Sequence, residues 1–269
     1  MAGFEWISLC TDYGYVDGFV AACHGVIARI APRARVLDVT HAIGPGDVRR
    51  GSVVLADTLP WLPPAVHVAV VDPGVGTARR GVALLSGEAV LVGPDNGLLV
   101  PAAHALDGIR AAYELLEPRY QLPRISATFH GRDVFAPVAA HLARGVPPES
   151  LGPALDPVTL VTLPAPVCQL EDGRIRVEVL AVDHFGNVAL AAGAAELAAL
   201  GLRAGDSATL RWPTGAQLVR LGRTFADVAA GELVVLLDSA GHLALACHGG
   251  SAARHTGLRP GATVELSTA

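Results

Sequence analysis

The pattern of apolar residues changes once along this chain, and that change limits the possible folds more than any other feature. In the first half, the short branched runs Trp6 to Cys10, Val36 to Val39, Val66 to Val71, Val82 to Leu85 and Ala89 to Val92 read as buried strands, several ending at Asp or Gly. Between them, Gly18 to Ile30 and Asp47 to Leu59 carry apolar residues at helical spacing, as Arg132 to Ala143 does later. Alternating strands and helices predict an α/β fold. Its central sheet is expected to be mostly parallel and covered on both faces, with chemistry in the loops at the carboxyl ends of strands. Beyond a proline-rich stretch at 147–166 the helices give out. Arg174 to Val182, Ala208 to Trp212, Gln217 to Leu221, Leu233 to Leu237, Leu243 to Cys247 and Thr263 to Leu266 are short strands between Gly and Asp turns, with one helical stretch at Ala194 to Leu200. A small antiparallel β-barrel or sandwich fits this half. Read as a linker, the proline-rich stretch divides the 269 residues into an α/β domain over 1–165 and a β-barrel domain over 166–269.

Composition then removes whole classes of chemistry. All 20 basic residues are arginine and none is lysine, which excludes Schiff-base and pyridoxal-phosphate enzymes and a phosphate-binding loop of the GxxxxGK[ST] kind. A net charge of −5 with 5% aromatic residues gives neither the basic stripe nor the stacking platforms of a nucleic-acid groove. The most apolar stretch, Leu59 to Val71, is broken by Pro60, Pro63, Pro64 and His67, and no run approaches the ~18 apolar residues of a membrane span. The opening MAGFEWISLC has no basic start followed by an apolar core, so no signal peptide is expected and the chain reads as cytoplasmic. Cys10, Cys23, Cys168 and Cys247 have no CxxC spacing, so buried thiols are expected rather than a zinc site or disulfides.

Four polar clusters interrupt the apolar background. TDYGYVDGF follows the first strand, where a carboxylate such as Asp12 is placed to accept the hydroxyls of a ribose, while Asp17 reads equally well as a helix cap. In VVDPGVGTARR, the glycines after Asp72 allow Arg79 to fold back on the carboxylate, with an ordinary turn and surface ion pair as the alternative. TFHGRD sets His130 in a loop beside a glycine, and most other histidines, among them His24, His67, His104, His141 and His255, read as surface or core residues. No HExxH or comparable spacing supports a metal site. AVDHFGNVAL places Asp183 and Asn187 around an aromatic at a strand connection, as an ammonium acceptor and a purine-edge partner or as a plain hairpin turn. Asn96 in GPDNGLL is turn chemistry.

In their order these segments, together with DVTHAI and LLDSAGHLALA, resemble the S-adenosylmethionine hydroxide adenosyltransferase family, relatives of the fluorinase and chlorinase, nearly from end to end. The resemblance implies an amino-terminal α/β catalytic domain, a smaller carboxyl-terminal β-barrel, and a homotrimer with substrate held between subunits. It maps a catalytic set onto Asp72, Arg79 and His130. It also places Asp12 on the ribose, Asp183 on the methionine ammonium, Asn187 on the adenine edge, Ser239 on the methionine carboxylate and Phe225 against adenine. Gly46 stands where relatives often carry a bulky residue, and His248 where asparagine is common. The implied reaction is hydrolysis of S-adenosyl-L-methionine to adenosine and L-methionine, with no cofactor and no metal. The alternatives are halide transfer, disfavoured by the complete trio, and a non-catalytic S-adenosylmethionine or adenosine binding protein, which would not need that trio.

Overall fold

A computed structural model describes residues 3–268 and divides into two compact units between Leu163 and Pro164. The first unit is built on seven strands: β1 (Trp6–Thr11), β2 (Arg35–Thr40), β3 (Ala65–Val70), β4 (Gly81–Ser86), β5 (Ala89–Pro94), β6 (Ala111–Glu114) and β7 (Ala154–Leu155). Their order in the sheet is β2-β1-β3-β5-β4-β6-β7. Pairing is parallel from β2 through β5 and antiparallel from β5 to β7, so the sheet is mixed, with its parallel half formed by the strands that alternate with helices.

Four helices cover the sheet: α1 (Phe19–Ile30), α2 (Val48–Thr58), α3 (Val100–Ala105) and α4 (Ala136–Ala143). Both faces are buried, as a parallel sheet requires. Ile7, Leu9, Val66 and Val68 pack with Ile27 of α1 and Leu142 of α4 on one side. Cys10, Ala69, Leu84 and Leu91 pack with Leu55 of α2 and Ala102 of α3 on the other. Asp17 does not cap α1, whose N-cap is Gly18 with no side-chain bond. Asp47 does cap α2, accepting from the Arg50 amide at 2.9 Å.

Most of the proline-rich stretch packs on the first unit, and the division between the units falls near its end, between Leu163 and Pro164. Within it, β7 pairs with β6, the Val161 amide donates to Asp95 Oδ1 at 2.9 Å, and Arg80 Nη2 donates to the Thr159 carbonyl at 2.6 Å. Proline removes its own donor but leaves those of its neighbours, so a proline-rich strap can still bind along a sheet edge.

The second unit contains β8 (Cys168–Glu171), β9 (Arg174–Val182), β10 (Val188–Gly193), β11 (Ser207–Trp212), β12 (Gly215–Leu221), β13 (Leu233–Leu237), β14 (His242–Cys247) and β15 (Thr263–Thr268). Seven of them run β10-β14-β13-β12-β11-β15-β9 and close into a barrel where Val179 to Val182 of β9 pair with β10; β8 lies alongside the first half of β9. All pairings are antiparallel except the short β12–β13 contact. Ile175, Val177 and Val179 show the period-two inward face, packing against Leu210, Val219, Val235 and Leu245. The helices α5 (Ala194–Ala199) and α6 (Ala252–Thr256) are single short turns at its margin.

Candidate active site

The first unit gathers its reactive groups at the carboxyl ends of its parallel strands. Asp72 lies just beyond the end of β3, after Val71, and the chain turns back through Gly74 and Gly76 to Arg79 before entering β4. The Thr77 hydroxyl donates to the Gly74 carbonyl at 2.7 Å and accepts from the Arg79 amide at 3.3 Å, which shapes the turn. Gly76 has φ +77°, and a Cβ there would stand 2.3 Å from the Ala127 carbonyl oxygen, so no other residue fits.

Arg79 does fold back. Its Nε lies 3.0 Å from both Asp72 oxygens and its Nη2 2.5 Å from Oδ2, a forked contact in which the side chains are only 12% and 5% exposed. The same Nη2 lies 2.9 Å from His130 Nδ1, and the guanidinium sits over the Phe135 ring at 5.2 Å. Arginine can only donate, so His130 Nδ1 accepts; the imidazole is neutral and carries its proton on Nε2. Burial, and then the Arg79 charge, hold the His130 pKa below the usual histidine range.

His130 stands at the start of a single turn of π-helix, Gly131–Phe135, that leads into α4. Gly131 lies against Tyr13, whose hydroxyl would be 2.0 Å from any added Cβ. Burial pushes the Tyr13 phenol upward, so it stays protonated. Below the turn, buried Asp133 takes two bonds from Arg132 at 2.6 and 3.0 Å and one from the Ser126 amide at 2.8 Å, anchoring the loop that carries His130.

Asp12, Tyr13, Gly46, Asp72 and His130 line one cleft of about 340 Å³. Asp12 Oδ2 accepts from the Gly46 amide at 2.8 Å, with Gly46 at φ +72°. A larger hollow of about 710 Å³, along Glu5, Arg29, Arg33 and Arg144, holds no convergent acid and base, so size does not mark the site.

The remaining candidates lie on the second unit. Asp183 and Asn187 form the turn between β9 and β10: Asp183 Oδ1 accepts from the amides of Phe185 and Asn187 at 2.9 and 2.8 Å, and Asn187 Nδ2 donates to Oδ2 at 2.7 Å. The hairpin-turn reading and the polar pair are therefore both present. Phe225, 49% exposed, begins a single 3-10 turn bounded by Thr224 and Asp227, and His248 Nδ1 lies 2.8 Å from the Val228 carbonyl. Ser239 is at the opposite end of the β10–β14 pair from the Asp183–Asn187 turn, in a loop closed by Asp238. Asn96 is structural, donating to the Val71 carbonyl at 2.8 Å beside Asp72.

Tyr13, Phe135 and Asp133 were not singled out by sequence. Their only signal was adjacency to TDY and TFHGRD, since aromatic packing across elements leaves no local pattern.

Comparison with known proteins agrees with this architecture. The model of the SAM hydroxide adenosyltransferase N-terminal domain matches residues 7–152, and that of the C-terminal domain matches 177–265. A Salinispora arenicola protein named (R)-S-adenosyl-L-methionine hydrolase is 57% identical over 97% of each chain, and a Thermus thermophilus protein of the same name is 44% identical over 95% of this chain and 97% of its own. Fluorinases match more distantly, at 28–30% identity. The crystal structure of an uncharacterized conserved protein from Thermotoga maritima superposes with a TM-score of 0.92 at 34% identity, covering 97% of this chain and 99% of that one. With both domain models matched in order and relatives aligned along nearly their whole length, this chain belongs to the SAM hydroxide adenosyltransferase family.

Proposed function

We propose that this chain hydrolyses S-adenosyl-L-methionine to adenosine and L-methionine, with water attacking the 5′ carbon in line with the departing sulfur. The observation that carries the reading is that Asp72 and His130, linked through Arg79, open into the same cleft as Asp12. Its support from relatives is the hydrolase name borne by those 57% and 44% identical.

The sulfonium is a good leaving group, so the enzyme's task is to hold and polarise water. With His130 Nδ1 occupied by Arg79, His130 Nε2–H is a donor, which leaves Asp72 as the group to take a proton. In this reading Asp72 accepts a hydrogen bond from water and then its proton as the carbon–oxygen bond forms. His130 Nε2–H donates to the water oxygen and aims its remaining lone pair at carbon. Arg79 fixes both partners. The carbon–sulfur bond takes its electron pair to sulfur, giving neutral thioether, and one proton is released to solvent per turnover.

Asp12 holds the ribose hydroxyls, Asp183 the methionine ammonium, Asn187 and Phe225 the adenine, and Ser239 the methionine carboxylate. A homotrimer with substrate sites between copies is the assembly that the family resemblance implies. No helix among the described residues is long and apolar enough to cross a membrane. Four free cysteines, three of them buried, support a cytoplasmic setting. No cofactor enters the scheme.

The test is incubation with S-adenosyl-L-methionine in oxygen-labelled water, with and without chloride. Adenosine carrying the label at its 5′ oxygen, independent of chloride, is the expected product. Formation of 5′-chloroadenosine, or binding without turnover, would overturn the reading, and light scattering in solution checks the trimer.

A further inference from the structure

A second cluster of ionisable groups lies behind the Asp12 loop and has no part in the scheme above. His24 Nε2, on the partly exposed face of α1, is 2.9 Å from Asp38 Oδ1 at the end of β2. His41 Nε2 is 3.0 Å from that same oxygen. The three donor atoms all lie within 4.8 Å of one another.

His41 is the informative member. Its side chain is 1% exposed, yet Nε2 makes no hydrogen bond, because at 3.0 Å from Asp38 Oδ1 it is out of line for one. A buried ring nitrogen without an in-line hydrogen-bond partner costs about 1–3 kcal/mol, and a cation between it and the carboxylate oxygen beside it would satisfy both. Its other nitrogen, Nδ1, is 2.7 Å from the Thr11 hydroxyl, which fixes the ring orientation as partners of metal-bound histidines do.

We propose that His24, Asp38 and His41 form a binding site for a divalent first-row transition ion of the zinc class, through His24 Nε2, an Asp38 carboxylate oxygen and His41 Nε2. Two ligand atoms each about 2.1 Å from one ion stand about 3.0 to 3.4 Å apart, so the two spacings to Asp38 Oδ1, 2.9 and 3.0 Å, need shift only by tenths of an ångström, while the two histidine nitrogens, within 4.8 Å of each other, are brought to that range by rotation of the partly exposed His24 side chain. Two imidazoles and one carboxylate suit zinc, cobalt or nickel rather than calcium or magnesium, which prefer an all-oxygen shell. Side-chain exposures of 36% for His24 and 29% for Asp38 leave the remaining coordination positions open to solvent water.

The site's position gives it a structural role. Thr11 precedes Asp12, accepts from the Tyr13 amide at 3.1 Å and holds His41; the His41 carbonyl in turn accepts from the Gly14 amide at 2.8 Å. An ion here ties α1 to the end of β2 and stiffens the segment on which Asp12 and Tyr13 sit. It touches no reacting atom, and the proposal stands whatever reaction the cleft performs.

The experiment uses chelator-stripped protein titrated with Zn²⁺ and with Co²⁺, reading stoichiometry by elemental analysis, visible d–d bands for Co²⁺, and the thermal midpoint. The expected result is one equivalent bound at micromolar concentration, with the midpoint raised by roughly 5 °C when the ion is at ~100 times its Kd. His24→Ala and Asp38→Asn should each weaken binding at least tenfold, whereas His104→Ala, on the exposed face of α3, should leave it unchanged. Circular dichroism confirms that the variants are folded, and either of the two ligand variants suffices. Absence of saturable binding by the wild type, or equal binding by the wild type and a folded ligand variant, would overturn the proposal.

Discussion

The first unit's cleft and the second unit's loops solve different problems with the same residue types. In the cleft, Asp72 and Arg79 come from the turn after β3 and His130 from the loop before α4, and Arg79 holds the other two; removing Arg79 leaves both without their shared partner. On the second unit, Asp183 and Asn187 are four residues apart and satisfy each other within a single turn beside exposed Phe185, 75% accessible. A set assembled across the fold can orient a reacting atom; a self-contained turn presents a preshaped polar surface and contributes affinity. Damage in the cleft should therefore appear in kcat and damage on the turn in KM.

The largest expected effect is from Asp72→Asn, which keeps the shape but removes the proton acceptor. It should lower kcat by on the order of 10³-fold with a small change in ligand binding, measured by single-turnover kinetics and calorimetry. If kcat fell only severalfold, Asp72 would not be the acceptor. Arg79→Gln removes one of the two influences that lower the His130 pKa. The wild-type rate should fall as pH drops through a value below the usual 6.5 of histidine, where Nδ1 protonates and the Arg79 bond is lost; in the variant this acid limb should move to higher pH.

A stability difference between the units comes next. His67 is buried in β3 with its Nδ1 2.7 Å from the Ser8 hydroxyl, and burial lowers its pKa from 6.5 to about 4. The unfolded chain binds this proton first on acidification, so the stabilisation is complete above pH 6.5 and is lost as pH falls towards 4. The loss is roughly 3 kcal/mol for the first unit. Among the described residues the second unit has no buried histidine, so hydrogen exchange followed from pH 7 to pH 5 should show loosening confined to the first.

Asn187→Ala should raise KM about tenfold, the worth of about 1.4 kcal/mol, and leave kcat within a fewfold. The smallest effect belongs to Ser239→Ala, an exposed residue in a loop held by Asp238 rather than by the serine, for which a change in KM of about twofold is expected.

Much of this could be read along the chain. The strands and the main helices announced themselves through period and branching, because burial on one or both faces fixes which positions must be apolar. Elements rich in alanine, such as β6 and β10, and the short α3 and α6 left too little pattern to see. The attachment of most of the proline-rich stretch to the first unit leaves no local signal, because its anchors, Arg80 and Asp95, lie far away in sequence. The metal-like cluster was invisible for the same reason: His24, Asp38 and His41 have no motif spacing and meet only because β2 runs beside β1 under α1.

By itself, then, the sequence determined the two architectures, the family resemblance and the residue types available to the chemistry, since these rest on local periodicity and on contiguous motifs. Only the tertiary structure decided which histidine nitrogen holds the proton, which glycines are obligatory and which distant ionisable groups share a site. Those properties depend on distances of about 3 Å between segments tens of residues apart, and hydrogen bonding acts on that distance rather than on position in the chain.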